Sequence, residues 1–390
     1  MSVVPDAPRR GRLWLAAAGV AVLAIGIAVA ITVNPADDRP TASAPASVPV
    51  SATAPASATV SATVSASATV PHTARPRSAR DRIALPRPAG VWPGEHGLSG
   101  VNGFPVLNTA SVNKFCAARG RPCTMAQTYT DRTDYESMTR GSGWVFEYFA
   151  DFDGVLVVSQ ALVPDGGEAL VDDCAAGDYD RHWRDFGALM VQHGRGDSIV
   201  RLGWEMNEPS MAWRGLDPAG YIACYRRAAD AIRATNSQVV LDWTINAHNT
   251  PAGLCGGLST DCYPGDGYAD IVGIDNYDHH PWSPTKADFD RTAAAPEGLT
   301  WLFDFARAHG KLFSVGEWGV MPTGDAGKDN PEFVRWMHAW FAEHAPYLAY
   351  EAWFQRCDGK VSQSAILRPS DPSCLPNTGS STVYRELFSR

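Results

Sequence analysis

Ile199-Val200-Arg201-Leu202-Gly203-Trp204-Glu205-Met206-Asn207-Glu208-Pro209 is the stretch on which the reading of this chain turns. Leu312-Phe313-Ser314-Val315-Gly316-Glu317-Trp318-Gly319, further along, repeats its plan. Each is an apolar run of strand length that closes on a glutamate beside a tryptophan. Such runs, bounded by turn signals, read as buried strands. Two carboxylates at the ends of buried parallel strands face each other across a pocket. Cleavage of a glycosidic bond uses that arrangement.

Outward from these two segments the same pattern recurs. Candidate strands are Gly100–Phe104, Thr124–Tyr129, Val155–Gln160, Ser198–Glu205, Val239–Thr244, Ile271–Tyr277, Leu312–Glu317 and Tyr347–Phe354. Helical patterns lie between them at Ala110–Arg119, Tyr135–Phe149, Tyr179–His193, Pro218–Thr235, Pro296–His309 and Pro331–His344. Repeated strand–helix alternation means a parallel sheet. Eight strands in this length predict an α/β fold, the (β/α)8 TIM barrel, rather than an open doubly wound sheet. No G-x-G-x-x-G follows the first strand, which weighs against a dinucleotide-binding fold.

Period two assigns faces. Arg201, Gly203 and Glu205 share one; Phe313, Val315 and Glu317 share another; Ile271, Gly273, Asp275 and Tyr277 share a third. Inward residues at the carboxy ends of barrel strands form the active site. Glu205, Glu317, Tyr277 and Trp353 are placed there. A single terminal glutamate reads as a loop cap; two at matching strand ends, each beside tryptophan, point to function.

The amino-terminal part does not join this fold. Arg9, Arg10 and Arg12 precede an apolar run from Leu13 to Val33, long enough to span a bilayer. The charges set residues 1–12 on the cytoplasmic side. Residues 13–33 read as a transmembrane anchor; Ala28-Val29-Ala30 leaves a cleaved signal peptide open. Residues 34–90 are mostly Ala, Ser, Thr, Pro and Val, with near-repeats such as Ser51-Ala52-Thr53-Ala54 and Ser61-Ala62-Thr63-Val64. That composition buries no core and reads as a disordered linker. Residues 91–390 form the catalytic domain, on the extracellular face of the membrane or secreted.

Residues 1–90 carry net charge +5 and residues 91–390 carry −14. An acidic domain argues against a nucleic-acid partner. Twelve of the thirteen tryptophans fall in the acidic part, which suits stacking of sugar rings on indole faces and equally suits core packing. All eight cysteines lie beyond residue 115. An even count behind an export signal favours disulfides. Sequence proximity pairs Cys116 with Cys123, Cys255 with Cys262 and Cys357 with Cys374, leaving Cys174 with Cys224. No C-x-x-C or histidine spacing suggests zinc, and no metal or cofactor is expected.

At the two glutamate segments the chain resembles glycoside hydrolase clan A and, within it, family 26, whose best-known members are β-mannanases. That family carries Arg-x-x-His-Glu-x-Asn, then a Trp-rich stretch and Gly. Arg201-Leu202-Gly203-Trp204-Glu205-Met206-Asn207 and Met211-Ala212-Trp213-Arg214-Gly215 match it, with Trp204 in place of the histidine. The resemblance spans residues 98 to about 360. It implies Glu205 as acid/base and Glu317 as nucleophile. It also implies that Tyr277, in Gly273-Ile274-Asp275-Asn276-Tyr277, holds the nucleophile and that Trp353 floors the sugar site. The histidine belongs to the mannanase site, so its replacement leaves mannan, β-glucan, xylan and envelope glycans all open as substrates.

The expected reaction is retaining, endo-acting hydrolysis of a β-linked polysaccharide by a monomer. It needs carboxyl groups about 5–5.5 Å apart and pKa values driven apart. Arg201 serves either to keep a carboxylate charged or as a structural ion pair. Trp204, Asn207, Trp213, Trp318 and Trp353 are candidate sugar contacts, with core packing the alternative for the indoles. His279, His280, Asn246 and His248 follow strand ends and are weaker candidates. Asn207-Glu208-Pro209 also reads like the clan's acid/base segment, so Glu208 competes with Glu205; strand parity favours Glu205. A non-catalytic, cell-surface carbohydrate-binding barrel and a scaffold without a sugar role are the other function classes.

Overall fold

The computed structural model describes residues 78–103, 107–248, 250–279, 281–322, 327–357, 364–367, 374–375 and 377–390. The expected anchor and most of the expected linker lie outside the described residues, as do Phe104 and His280. Among the described residues no helix is long and apolar enough to cross a membrane.

The helices are α1 (Ala79–Ile83), α2 (Thr109–Arg119), α3 (Tyr135–Met138), α4 (Gly143–Tyr148), α5 (Val171–Ala176), α6 (Asp180–Gln192), α7 (Pro218–Thr235), α8 (Lys286–Ala294), α9 (Leu299–Ala308), α10 (Pro331–His344) and α11 (Thr378–Phe388). The strands are β1 (Ser99–Asn102), β2 (Met125–Tyr129), β3 (Val155–Gln160), β4 (Ile199–Leu202), β5 (Val240–Asn246), β6 (Ile271–Tyr277), β7 (Leu312–Gly319) and β8 (Leu348–Phe354). They close into one barrel in sequence order, and β1 pairs with β8 in parallel. The (β/α)8 architecture is therefore the one the alternation predicts.

Local chemistry starts and stops the helices. Asp217 accepts from the N–H groups of Ala219 and Gly220, and Pro218 opens α7. Asn330 and Pro331 do the same for α10. Such caps satisfy donors that have no partner inside the helix. The helix expected over Tyr135–Phe149 is interrupted, because Thr139 leaves helical geometry at φ −115°, ψ −93°. Phe333, Val334, Met337, Trp340 and Phe341 of α10 are buried at helical spacing against the sheet. Each side chain of this kind contributes roughly 1.5–3 kcal/mol on burial.

Residues 78–90, expected in the linker, instead begin the barrel unit. Ser78 caps α1 by accepting from Asp81 N–H. Ala79 and Ile83 pack with Met125, Val155, Ile199, Val240 and Ile271, near the amino-terminal ends of their strands. Arg80 Nη2 donates to Val239 O at 3.0 Å. A five-residue helix with two apolar positions buries one face there, which composition alone does not reveal.

All four expected disulfides form: Cys116–Cys123, Cys174–Cys224, Cys255–Cys262 and Cys357–Cys374. Cys174–Cys224 ties α5 to α7 across 50 residues of sequence. Four bridges fit an oxidising compartment.

Candidate active site

The interior of the barrel is polar in its upper half. Asp242 of β5 accepts from Ser314 Oγ at 2.7 Å, Tyr350 OH at 2.6 Å and Thr244 Oγ1 at 3.0 Å. Above this layer lies Arg201, fully buried. Its Nη1 donates to Glu317 Oε1 at 3.0 Å and to Ser159 Oγ at 3.1 Å, and its Nη2 bonds Asp275 Oδ2. Arg201 is thus a buried ion pair, and one of its partners is the candidate nucleophile.

Room for the guanidinium comes from Gly316. A Cβ there would lie 2.7 Å from Arg201 Nε and 2.8 Å from Cζ. Gly316 is also the extra residue of a β-bulge: Ile274 pairs with Val315, but Asp275 pairs with Glu317. The bulge resets the alternation. Ser314 faces the interior, and Phe313 and Val315 pack in the cluster that holds the helices, contrary to the face expected for them. Without the bulge Glu317 would follow Phe313 and Val315 outward. Bulges that re-aim a side chain are common beside active sites.

Glu317 is held by three side chains. Tyr129 OH donates to Oε1 at 2.5 Å, alongside Arg201, and Tyr277 OH donates to Oε2 at 2.8 Å. Burial and then the charge of Glu317 push both phenols well above their ordinary pKa, so they stay protonated donors. Three donors on an acceptor-only group suit an ionised carboxylate.

Glu205 reaches the site by a different route. β4 ends at Leu202, short of the expected Glu205. Gly203 and Glu205 both take left-handed backbone, with φ 55° and 52°. The segment stays attached, since Gly203 N–H donates to Gln160 O and Glu205 N–H to Thr244 O, each at 2.8 Å. For a glutamate this conformation is strained, which is common where a side chain must be presented for function. Oxygens of Glu205, Asp275 and Glu317 lie within 4.8 Å of one another. Burial, then the charges of Asp275 and Glu317, push the Glu205 carboxyl well above the usual range. Three carboxylates this close could also serve a hard cation, but Arg201 already meets the charge of two of them.

Other expected contacts turn out to be structural. Trp213, Trp318 and Trp353 have no exposed surface, and Trp204 is buried as well. Trp353 faces the helices, where it packs on Trp318 at 4.6 Å and on Tyr384 at 5.1 Å; its Nε1 donates to Ser364 O. A register shift between Phe313 and Ser314 moves the alternation of β8 by one residue. Phe354 therefore meets Tyr277, ring to ring at 5.6 Å. Trp318 Nε1 donates to Glu351 at 2.6 Å, a carboxyl that burial pushes up to about 7. Trp213 Nε1 donates to Trp204 O at 2.7 Å, fixing the loop after β4. Asn207 also braces that loop: its amide donates to Asn246 O and Thr250 Oγ1 and accepts from Asn246 N–H.

Glu208 accepts from Asn246 Nδ2 at 3.1 Å and turns to the rim. His248 is neutral, with burial pushing its imidazole down to about 4. Two site residues were not singled out from sequence. Asp275 and Tyr129 both lie at carboxy-terminal strand ends, so the rule that selected Tyr277 also reaches them.

No family model matches this sequence, and no curated protein matches it. The fold is shared with solved structures. An endo-β-1,4-mannanase double mutant from Cellulomonas fimi is 17% identical, with TM-score 0.54 over 75% of this chain and 71% of that one. The catalytic domain of a family 26 endo-β-1,4-mannanase from Bacillus sp. JAMB-750 is 16% identical, with TM-score 0.51 over 76% and 86%. A family 26 protein from a Muricauda species is 13% identical, with TM-score 0.56 over 80% and 88%. In fold, then, the chain resembles the family 26 glycoside hydrolases.

Proposed function

We propose that this chain is a retaining endo-β-glycosidase that hydrolyses a mannan-type or related β-glycan, with Glu317 as nucleophile and Glu205 as acid/base. One observation carries the reading: Glu317 of β7 and Glu205 of the turn after β4 bring carboxylate oxygens within 4.8 Å, one bound by three donors and the other pushed towards its protonated form. So close an approach supports a double displacement over an inverting site, in which roughly 6.5–9.5 Å between the carboxyl groups leaves room for water.

In the first step Glu317 attacks the anomeric carbon while Glu205 protonates the departing oxygen. In the second, Glu205 takes a proton from water, which attacks the glycosyl-enzyme and frees Glu317. The fold neighbours named as mannanases support a β-mannan as the first substrate to try. Trp204 in place of the pattern's histidine keeps the other β-glycans on the panel. Trp282 is 40% exposed, the one exposed indole among the described residues. It sits on the loop leaving β6, pinned by Ser283 N–H to Asp278 at 2.8 Å, and we assign it to sugar stacking. The buried tryptophans leave a purely binding barrel with few other platforms. The domain acts outside the cell, either held at the membrane by residues 13–33 or released after their removal as a signal peptide.

A polysaccharide panel with product analysis tests it. One β-glycan should be cut internally with retained configuration, and Glu317→Ala should lose about a thousandfold or more in rate, roughly 4–5 kcal/mol of transition-state stabilisation. No cleavage of any β-glycan, or near-normal activity of the variant, overturns the reading.

A further inference from the structure

We infer that Tyr129 and Asn102 form a positioning pair that commits Oε1 of Glu317 to the protein and presents Oε2 as the attacking atom. The inference rests on the glycosidase reading above and adds to it a working part contributed by β1 and β2.

Tyr129 is the last residue of β2, and Asn102 the last of β1. Asn102 Nδ2 donates to Tyr129 OH at 2.7 Å, and Tyr129 OH lies 2.5 Å from Glu317 Oε1. A phenol has one proton. Because an amide nitrogen only donates, it occupies the acceptor side of the phenol and sends that proton to Glu317. Gln127, two residues earlier on β2, fixes the amide's sense. With its own amide turned to satisfy its neighbours, it accepts from Asn102 Nδ2 at 2.7 Å and donates to Gly316 O at 3.0 Å. The β2 face thus grips both the bulge and the carboxylate that the bulge turns inward. Behind the phenol lies Trp204, its ring centroid 5.6 Å away, at the position where the family pattern has histidine.

The count of donors then distinguishes the two oxygens. Oε1 receives Tyr129 and Arg201, which fill both its lone-pair directions. Among the described residues Oε2 receives Tyr277 alone, which leaves it one direction open. When Oε2 bonds the anomeric carbon, the bond to the leaving oxygen breaks and that oxygen takes the proton of Glu205. Oε1 becomes the ester carbonyl oxygen with both donors still in place. When water displaces the ester, the carboxylate charge returns to an oxygen already solvated by the protein. Donors held ready for developing charge are a general source of rate.

Two nearly isosteric variants test this, assayed by kcat and KM on the cleaved glycan and by the rate at which a 2-fluoro glycosyl fluoride labels Glu317. Tyr129→Phe removes the donor. Asn102→Asp offers an acceptor oxygen that draws the phenol's proton away from Glu317. Each should slow turnover and labelling about ten- to a hundredfold, the loss expected of a hydrogen bond to a charged group. KM should change little in both, and the melting temperature little in Tyr129→Phe; Asn102→Asp buries a carboxyl against the Gln127 oxygen and should melt lower. The Asn102→Asp defect should lessen as pH falls and the new carboxyl protonates. Wild-type rates in both variants, while the parent protein is active and labelled, overturn the inference alone. A parent protein that is neither active nor labelled overturns the glycosidase reading and takes this inference with it.

Discussion

Replacing Asp275 with asparagine removes one negative charge from the carboxylate cluster and keeps the side chain's shape. Asp275 lies within 4.8 Å of Glu205, oxygen to oxygen, and is the largest of the charges that raise the Glu205 pKa. Two unit charges at that separation interact by about 3.5 kcal/mol at an effective dielectric of 20. Arg201 is already paired with Asp275, so part of that charge is cancelled and the effect is smaller than the bare pair would give. The sign is fixed. Glu205 must carry a proton to release the leaving group, so activity falls as pH rises through its pKa. Asp275→Asn lowers that pKa and moves the basic limb of the kcat/KM profile to lower pH. The profile of the free enzyme, measured on the cleaved glycan, reports this limb directly. A basic limb that stays in place, or moves to higher pH, refutes the assignment of Glu205 as an acid tuned by Asp275.

Glu205→Gln should stabilise the protein while abolishing turnover. The folded pKa lies above the ordinary 4.5, so the stability linked to the protonated form is complete below that value and is lost as pH rises through the folded pKa. The variant's melting temperature should therefore exceed the wild type's at neutral pH, with the gap closing on the acid side. Gly316→Ala places a Cβ against Arg201 and should cost roughly 1–3 kcal/mol in stability through overpacking, with kcat/KM falling as the guanidinium leaves Glu317; denaturant melts and kinetics check both. Trp282→Ala should raise KM for polymer more than for small aryl glycosides if its exposed ring stacks on sugar, which steady-state kinetics on the two substrates checks.

The alternation of strand and helix carried the fold, because eight buried strands each need an apolar run that helix-period segments do not supply. Pairing of the cysteines followed from proximity. What composition hid was α1, whose two apolar residues sit in a stretch that otherwise reads as linker. Period two carried Arg201 and Tyr277 to the right face, whereas Glu205 reaches it through the left-handed turn that follows β4. It failed for Phe313 and Val315, because the irregularities near Ser314 and Gly316 shift the alternation without a mark that a count of two can detect, and the strand-end rule failed for Trp353. Glu317 was assigned inward through a face that points outward, and the bulge restored it. Tyr129 and Asp275 were within reach of the strand-end rule, but neither adjoins a glutamate segment that drew attention to it. Asn207 and the buried tryptophans matched a sequence pattern, and their hydrogen bonds in the structure serve the loops and the core.

The most direct test of the central claim is azide rescue of Glu205→Ala and Glu208→Ala, run side by side on a dinitrophenyl glycoside of the sugar that the enzyme accepts. Such a leaving group departs without a proton, so the first step survives in the variant that lacks the acid/base, and azide replaces the activated water in the second. Glu205→Ala should be accelerated by azide and yield a glycosyl azide of retained configuration, with Glu208→Ala unaffected. Rescue of Glu208→Ala instead, or a glycosyl azide of inverted configuration, would contradict the account.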